Sequence, residues 1–326
     1  MIDSTPLGVG RQKYYLEQIA KDREEYLSGH GEAPGYVLGS AGAKLGLAGE
    51  VTAEQFERLF TCCHPDSGEL LGAAHRKDGR LGWDLVFRPV KSLSLLWALG
   101  TPEQSRIARE AHHAAVEAAI AKLETYAVVR RGRNGVEKLA ASGLLVVGFD
   151  HRESRPGDPL LHTHAIMLNR ALGPDGRWTA LDARPILAAL MEADAVYRAT
   201  YQWYVTERAG LEWGPPDEHG NRELACLPAE VIRLFSKAGT RIDEACAERE
   251  EQGLAVTAKV RDMLAHQLRE DKGHEDRVTQ RERWVAEAAG QGWRLWRTFD
   301  RACGQARPVD TLDADTVGRI FDRLSP

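Results

Sequence analysis

The sequence predicts an α+β protein in which a central antiparallel β-sheet is flanked by helices and followed by a mostly helical C-terminal part. Strand-like apolar segments are confined to the first two thirds of the chain. Segments with helical periodicity lie between them, and from Arg184 onward that periodicity dominates. The predicted strands are 82–88, 126–131, 138–141, 142–151, 162–170 and 177–181.

Helix-capping residues support several of the predicted helices. Thr101-Pro102 opens a long helix that runs to about residue 126, and Gln104 completes a capping box. The Gly- and Ala-rich segment 29–49 is predicted to be a structured loop. The other predicted helices are 11–28, 52–60, 184–209, 228–251, 256–271 and 279–290.

Composition limits the possible function classes. The 326-residue chain has a formal net charge of −5, so any nucleic-acid binding must depend on local basic clusters rather than on overall charge. Such clusters occur near residues 76–80, 130–133 and 277–283. No apolar run reaches the roughly 18 residues of a membrane span, so no membrane insertion is expected. The five cysteines are scattered and the N-terminus does not resemble a secretion signal, which together predict a cytoplasmic protein.

Three histidines form the clearest candidate site. His162 and His164 are two residues apart on a predicted strand, so their side chains point to the same face. His151 ends the preceding predicted strand and can reach them if the two strands pair. A lone histidine on a strand is usually structural, but three together are typical of a metal site with open coordination positions. Cupins and metallo-β-lactamase-like hydrolases also contain an H-x-H pair of metal ligands. The hydrolases need, in addition, an acidic residue and a further histidine soon after this pair, and residues 165–167 supply neither.

Tyrosines near the N-terminus are candidate nucleophiles. On the predicted helix 11–28, Tyr15 and Tyr26 lie on the apolar stripe, so core packing explains them. Tyr14 lies off that stripe and is therefore the better candidate. A phenol with a pKa near 10 needs a metal or a carboxylate nearby to attack a phosphate.

Asp84 is the candidate carboxylate. It lies in a predicted strand and points away from the apolar Trp83, Leu85 and Phe87. A solvent-facing strand residue would give the same pattern, so the sequence leaves both interpretations open.

Several of these segments together resemble the MobF-type conjugative relaxases of the HUH endonuclease superfamily, over roughly residues 10–240. They are GWDLVFRPVKSLSLL, VVGFDHRESRPGDPLLHTHAIMLNR, the paired N-terminal tyrosines and GSAGAKLGLAGEVT. The resemblance implies site- and strand-specific nicking at an origin of transfer, in which a tyrosine becomes joined to the 5′ phosphate and the strand is later religated. It also implies the HUH fold, with a catalytic domain over 1–240 and a helical extension over 241–326.

The resemblance assigns roles to the candidate residues. His151, His162 and His164 match the metal ligands, and Asp84 matches the aspartate that orients a ligand histidine or accepts the tyrosyl proton. Mg²⁺ or Mn²⁺ is the expected ion, with Zn²⁺ or Ni²⁺ as substitutes. In the tyrosine region, the expected nucleophile is Tyr14, its rival is Tyr15, and Tyr26 matches the second tyrosine group, which is a pair in several relatives.

The resemblance also implies partners. Lys91 and Arg155 match basic positions near the bound single strand, and Arg130 and Arg131 are candidates for a DNA hairpin. The tryptophans at 83, 178 and 203 could stack on unpaired bases, although burial is the more common explanation for a tryptophan. Relaxosome accessory proteins, a type IV coupling protein and transfer to the recipient cell are further expectations. The alternatives are an HUH replication initiator or transposase-like nickase, a non-cleaving DNA-binding module, and a small-molecule oxygenase or hydrolase.

Overall fold

In this computed structural model, the described residues are 2–8, 35–74, 79–268 and 277–305. The predicted helix 11–28 lies outside them. The strands are β1 Ile2–Leu7, β2 Gly35–Leu38, β3 Glu50–Val51, β4 Gly82–Phe87, β5 Val128–Arg131, β6 Glu137–Ala140, β7 Val146–Glu153, β8 Pro159–Leu168, β9 Ala171–Leu172 and β10 Trp178–Thr179. β1, β4, β8, β7, β2 and β3 form, in that order, one antiparallel sheet of six strands. Two further strand pairs, β5–β6 and β9–β10, complete the antiparallel part of the fold.

Helices cover this sheet and follow it along the chain. They are α1 Ala53–Phe60, α2 Lys91–Leu99, α3 Pro102–Glu124, α4 Arg184–Ala188, α5 Leu190–Ala209, α6 Ala229–Leu234, α7 Lys237–Glu251, α8 Ala258–Gln267, α9 Arg277–Gly290 and α10 Leu295–Ala302. The predicted capping box of α3 is confirmed, since Thr101 and Gln104 bond reciprocally. The predicted fold class is confirmed as well.

Each face of the sheet covers its own apolar cluster. Leu85, Phe87 and Met167 point to one face and belong to the cluster that includes the buried residues of α3 and α5. Val147 and Ile166 alternate to the other face, where Phe56 of α1 belongs to the same cluster. This alternation places Asp84 on the second face, opposite the helices α3 and α5.

Several segments differ from the sequence prediction. β1 is an additional strand, and the predicted helix 228–251 is two helices, α6 and α7. The region predicted as a loop over 29–49 contains β2 and the 3₁₀-helix Ser40–Leu45 within its described part. The apolar segment that follows β4 is the helix α2, which the sequence analysis left unassigned. Seven of the nine α2 residues are buried, so the helix has no polar face to give it a helical hydropathy period.

The C-terminal helices belong to the same packed unit as the sheet. Trp284 and Ala288 of α9, together with Leu295 and Phe299 of α10, are buried in the cluster that covers the α3 side of the sheet. The domain boundary at residue 240 stays a prediction. Among the described residues, no helix combines the length and the apolarity that crossing a bilayer requires.

Candidate active site

The three candidate histidines come together on the hairpin formed by β7 and β8. His151 is the register partner of His162, and His164 is the partner of Phe149. All three side chains therefore lie on the face that also carries Asp84. Their ring centroids are 4.8 to 5.4 Å apart. Each ring offers one nitrogen as a metal ligand, and these three nitrogen atoms lie within 4.8 Å of one another.

Hydrogen bonds at the far ring nitrogens orient two of these imidazoles. His162 Nδ1 lies 2.9 Å from the Leu160 carbonyl oxygen, an acceptor, so Nδ1 carries the proton and Nε2 keeps its lone pair. His164 Nδ1 lies 2.9 and 3.0 Å from the two carboxylate oxygens of Asp84. Metal-ligating histidines usually bond in this way through the second nitrogen, which fixes the tautomer and the ring direction. The donor set therefore fits a divalent metal ion.

The surroundings of the cluster suit a substrate with a negative charge. His151 and His162 are buried, whereas His164 is partly exposed and Asp84 is only 5% exposed. Three protein ligands leave positions open for a substrate oxygen or water. Since neutral imidazoles do not offset the charge of a divalent ion, the bound metal would polarise a phosphodiester and stabilise the charge of its transition state.

Replacing Asp84 by alanine is expected to weaken metal binding because His164 would lose the acceptor that holds its ring. Partners of this kind are typically worth about 10- to 100-fold in metal affinity. Titration calorimetry with Mn²⁺ measures the effect. Asp243→Ala, which removes an exposed carboxylate paired with Arg261 on another part of the surface, serves as the control and should leave the Kd unchanged. An unchanged Kd in Asp84→Ala would contradict the orienting role.

A second polar group lies on the opposite face of β7 and β8, directly behind the histidines. Asp150 and Thr163 are register partners, and the Thr163 hydroxyl donates to Asp150 Oδ1 at 2.5 Å. On α3, His112 Nε2 lies 2.8 Å from Thr163 Oγ1, and His113 Nε2 lies 2.6 Å from Asp150 Oδ2. This group is not among the sites predicted from the sequence; its only signal there is the His112-His113 pair within an alanine-rich helix.

Burial and hydrogen bonding together set the protonation states of this polar group. Burial lowers the pKa of His112 to about 3, so the imidazole is neutral at pH 7. Burial alone would raise the pKa of Asp150, but the hydrogen bond and the charge of His113 outweigh it and lower the pKa to about 2. The Asp150 carboxylate is therefore ionised and acts only as a hydrogen-bond acceptor.

The turn that joins the two histidine strands is held by helices from elsewhere in the chain. At the start of α7, the backbone nitrogen of Lys237 donates to Oδ2 of the buried Asp158 at 2.7 Å, and its ammonium forms an ion pair with Oδ1 at 2.8 Å. On α9, Trp284 Nε1 donates to the Gly157 carbonyl oxygen at 2.7 Å. The turn is shorter than the ten residues expected from the sequence, because β7 extends to Glu153 and β8 begins at Pro159.

The candidate DNA-binding residues lie at separate places. Lys91 begins α2 and donates to the Pro159 carbonyl oxygen at 2.9 Å; burial lowers its pKa to about 8. Arg155 is in the turn between β7 and β8. Arg130 and Arg131, on β5, are paired with Asp182 and Asp175 at 2.9 and 2.8 Å. The DNA-binding roles of these residues stay predictions.

The candidate tryptophans differ in exposure, and the candidate tyrosines lie outside the described residues. Trp83 is 6% exposed and packs in the cluster on the α3 side of the sheet, so burial explains it. Trp178 is partly buried, and Trp203 on α5 is 58% exposed. The tyrosines Tyr14, Tyr15 and Tyr26 lie outside the described residues.

Comparison with known proteins identifies the family. The model of the TrwC relaxase family matches residues 9–291. The chain belongs to the TrwC relaxase family. The resemblance inferred from the sequence is thereby confirmed, and the match runs past the region over which the sequence motifs suggested it.

Two conjugation proteins are similar to this chain in sequence. Two proteins called multifunctional conjugation protein TraI, from Escherichia coli and its strain K12, are each 29% identical over 298 and 299 residues. These alignments cover 85% of the chain but only 16% of either relative.

Three solved structures of the conjugative relaxase TrwC are similar to this fold. A metal-bound complex with oriT DNA has a TM-score of 0.78 at 26% identity, and a copper-bound complex with oriT DNA has 0.78 at 27%. A complex with a 27-mer DNA comprising the recognition hairpin and the cleavage site has 0.76 at 26%. Each covers 90% of this chain and 99% of the TrwC chain.

Proposed function

We propose that this chain is a conjugative relaxase that nicks one strand at an origin of transfer by tyrosine transesterification and later religates it. The observation that carries the proposal is the three-histidine cluster with Asp84 behind His164, in a chain of the TrwC relaxase family. Because the attack exchanges a phosphodiester for a phosphotyrosine, the bond energy is retained and the step can reverse without a nucleotide cofactor.

In this proposal, Tyr14 is the nucleophile. The tether is long enough: Tyr14 is seven residues beyond Leu7, the end of β1, which corresponds to at most about 25 Å of extended chain. β1 pairs with β4, and β8 follows β4 in the sheet. Leu7 lies level with Leu168, four residues from His164, so the end of β1 is about 17 Å from His164, within reach of the tether. The phenol oxygen would lose its proton and attack the scissile phosphorus, and the bond to the 3′ oxygen of the preceding nucleotide would break; that oxygen takes up a proton and leaves as a 3′ hydroxyl.

The remaining roles follow from the positions of the candidate side chains. We assign Asp84 to the orientation of His164, since both carboxylate oxygens are directed at its Nδ1. Mg²⁺ or Mn²⁺ is the proposed ion in cells, because hard cations suit phosphate oxygens. Arg155, in the turn beside the histidines, and Lys91 are proposed to lie near the single strand.

A DNA hairpin is the second proposed partner, contacted by the β5–β6 ribbon. Arg130 is exposed, and the buried Asp182 also pairs with Arg184, so the Arg130 guanidinium can turn to a phosphate without leaving that carboxylate unpaired. Accessory proteins of the relaxosome and a type IV coupling protein are proposed for the same pathway. Cytoplasmic action is supported by the free thiols of all five cysteines.

The formation of a covalent adduct tests this function. The protein is incubated with a 5′- or 3′-labelled single strand from its own origin of transfer and Mn²⁺ or Mg²⁺, and the products are separated on a denaturing gel. We expect a protein–DNA band with the 3′-labelled strand, which carries the 5′ phosphate after cutting. EDTA should abolish the band, and excess Mn²⁺ should restore it. Hairpin binding without any adduct would instead indicate a non-cleaving module.

A further inference from the structure

The hydrogen bonds behind the metal site form a chain with a fixed direction. The Asp150 carboxylate can only accept, so the Thr163 hydroxyl must give its proton to Asp150. Thr163 Oγ1 then accepts from His112 Nε2, which fixes the neutral imidazole as the Nε2–H tautomer. His112 Nδ1 is left as an acceptor, 2.8 Å from the Tyr197 hydroxyl, which donates to it.

Thr163 and Asp150, which anchor this hydrogen-bond chain on β8 and β7, lie next to all three candidate ligands in the sequence. Thr163 lies between His162 and His164, and Asp150 immediately precedes His151. Because side chains alternate across a strand, holding the Thr163 and Asp150 side chains on one face holds the direction of their neighbours on the other. α3 and α5, which carry His112 and Tyr197, thus act on the histidines from behind without touching the metal face.

Gly148, on β7, leaves space for the ring of Tyr36, which also bonds to Asp150. Tyr36, on β2, donates to Asp150 Oδ1 at 2.9 Å, and its ring crosses above its register partner Gly148. A Cβ atom at Gly148 would lie 2.8 Å from the Tyr36 ring, closer than carbon atoms can approach. With Tyr36, Thr163 and His113, Asp150 accepts three hydrogen bonds.

We propose that Thr163, held between His112 and Asp150, is a positioning residue that sets the spacing of the three metal-binding imidazoles. The inference deepens the proposed function, since it concerns the same metal site. It assigns a role to the residue between the two histidines of the H-x-H pair, and it makes α3 part of the apparatus that builds the site.

The test is Mn²⁺ affinity, measured by calorimetry on the protein without DNA. Thr163→Val keeps the shape but removes the hydroxyl, which leaves the His112 N–H without its acceptor and takes away one of the three donors to Asp150. We expect the Kd for Mn²⁺ to rise about tenfold, the lower end of the range for residues that support metal ligands. Thr163→Ser keeps the hydroxyl and should bind within about twofold of the unmutated protein.

A matched substitution separates positioning from loss of stability. Thr206→Val, on the last turn of α5, also removes a threonine hydroxyl, which donates to the Leu211 carbonyl oxygen at 3.1 Å. It should lower the Tm without changing the Kd for Mn²⁺. Should Thr163→Val not fold, Tyr197→Phe removes the far end of the hydrogen-bond chain and is expected to raise the Kd about threefold.

Two outcomes would overturn the proposal. One is an unchanged Kd in folded Thr163→Val, or in Tyr197→Phe if that variant has to stand in for it. The other is a loss in Thr163→Ser as large as that in Thr163→Val, since the hydroxyl would then be irrelevant. Failure of the unmutated protein to bind Mn²⁺ would instead reject the metal site of the proposed function, so the two failures can be told apart.

Discussion

Tyr14→Phe is expected to abolish the covalent protein–DNA adduct, because phenylalanine keeps the ring but lacks the oxygen that attacks the phosphate. The adduct should fall below detection on the denaturing gel, while the Kd for the origin hairpin, measured by fluorescence anisotropy, stays within about twofold. Retained binding would show that the protein is folded and that the chemistry alone is lost.

Tyr15→Phe and Tyr26→Phe are the matched controls for that experiment. Each removes one phenol oxygen from the same region of the chain, and each should still form the adduct in a first cleavage. An adduct that persists in Tyr14→Phe but disappears in Tyr15→Phe would move the nucleophile by one residue and leave the function intact. A band lost in none of the three would reject tyrosine attack from this region.

His162→Ala is expected to reduce the rate of nicking by at least about 100-fold, because a metal ion contributes several kcal/mol to the stabilisation of transition-state charge. His162 is the register partner of His151, and its loss removes one of three ligands from a site that also has open positions. Initial nicking rates at saturating Mn²⁺ measure the change, and hairpin affinity should fall by no more than about threefold.

His219→Ala provides the comparison, since His219 is exposed and far from β7 and β8 in the sequence. It should nick at the unmutated rate. If His162→Ala lost hairpin binding and nicking in equal measure, the histidines would be maintaining the fold rather than the chemistry.

The histidine site could be predicted because its information is local in the sequence. The two-residue spacing of His162 and His164 fixes a common face once the segment is a strand, and the apolar run before His151 predicts the strand that pairs with it. The alternation around Asp84 correctly indicated its side of the sheet. Its contact with His164 required β4 and β8 to be neighbours, which was expected only from the family resemblance.

The supporting residues could not be predicted because their contacts join distant segments. Thr163 meets His112 across a sequence separation of 51 residues, and Lys237 meets Asp158 across 79. Nothing in the local pattern distinguishes these polar residues from surface ones. The helix α2 was not predicted for a related reason: burial of most of its residues removes the amphipathic period by which helices are recognised.

The contacts of α7 and α9 with the turn between β7 and β8 affect when, during synthesis, the histidine site can be completed. During synthesis, His151 and His162 leave the ribosome more than 120 residues before Trp284, whose indole bonds to Gly157. Contacts of such long range form late in folding. A nascent chain therefore has its imidazoles before it can form the contacts that hold the turn between them, and we expect the histidine site to reach its final geometry only after α9 has been synthesised.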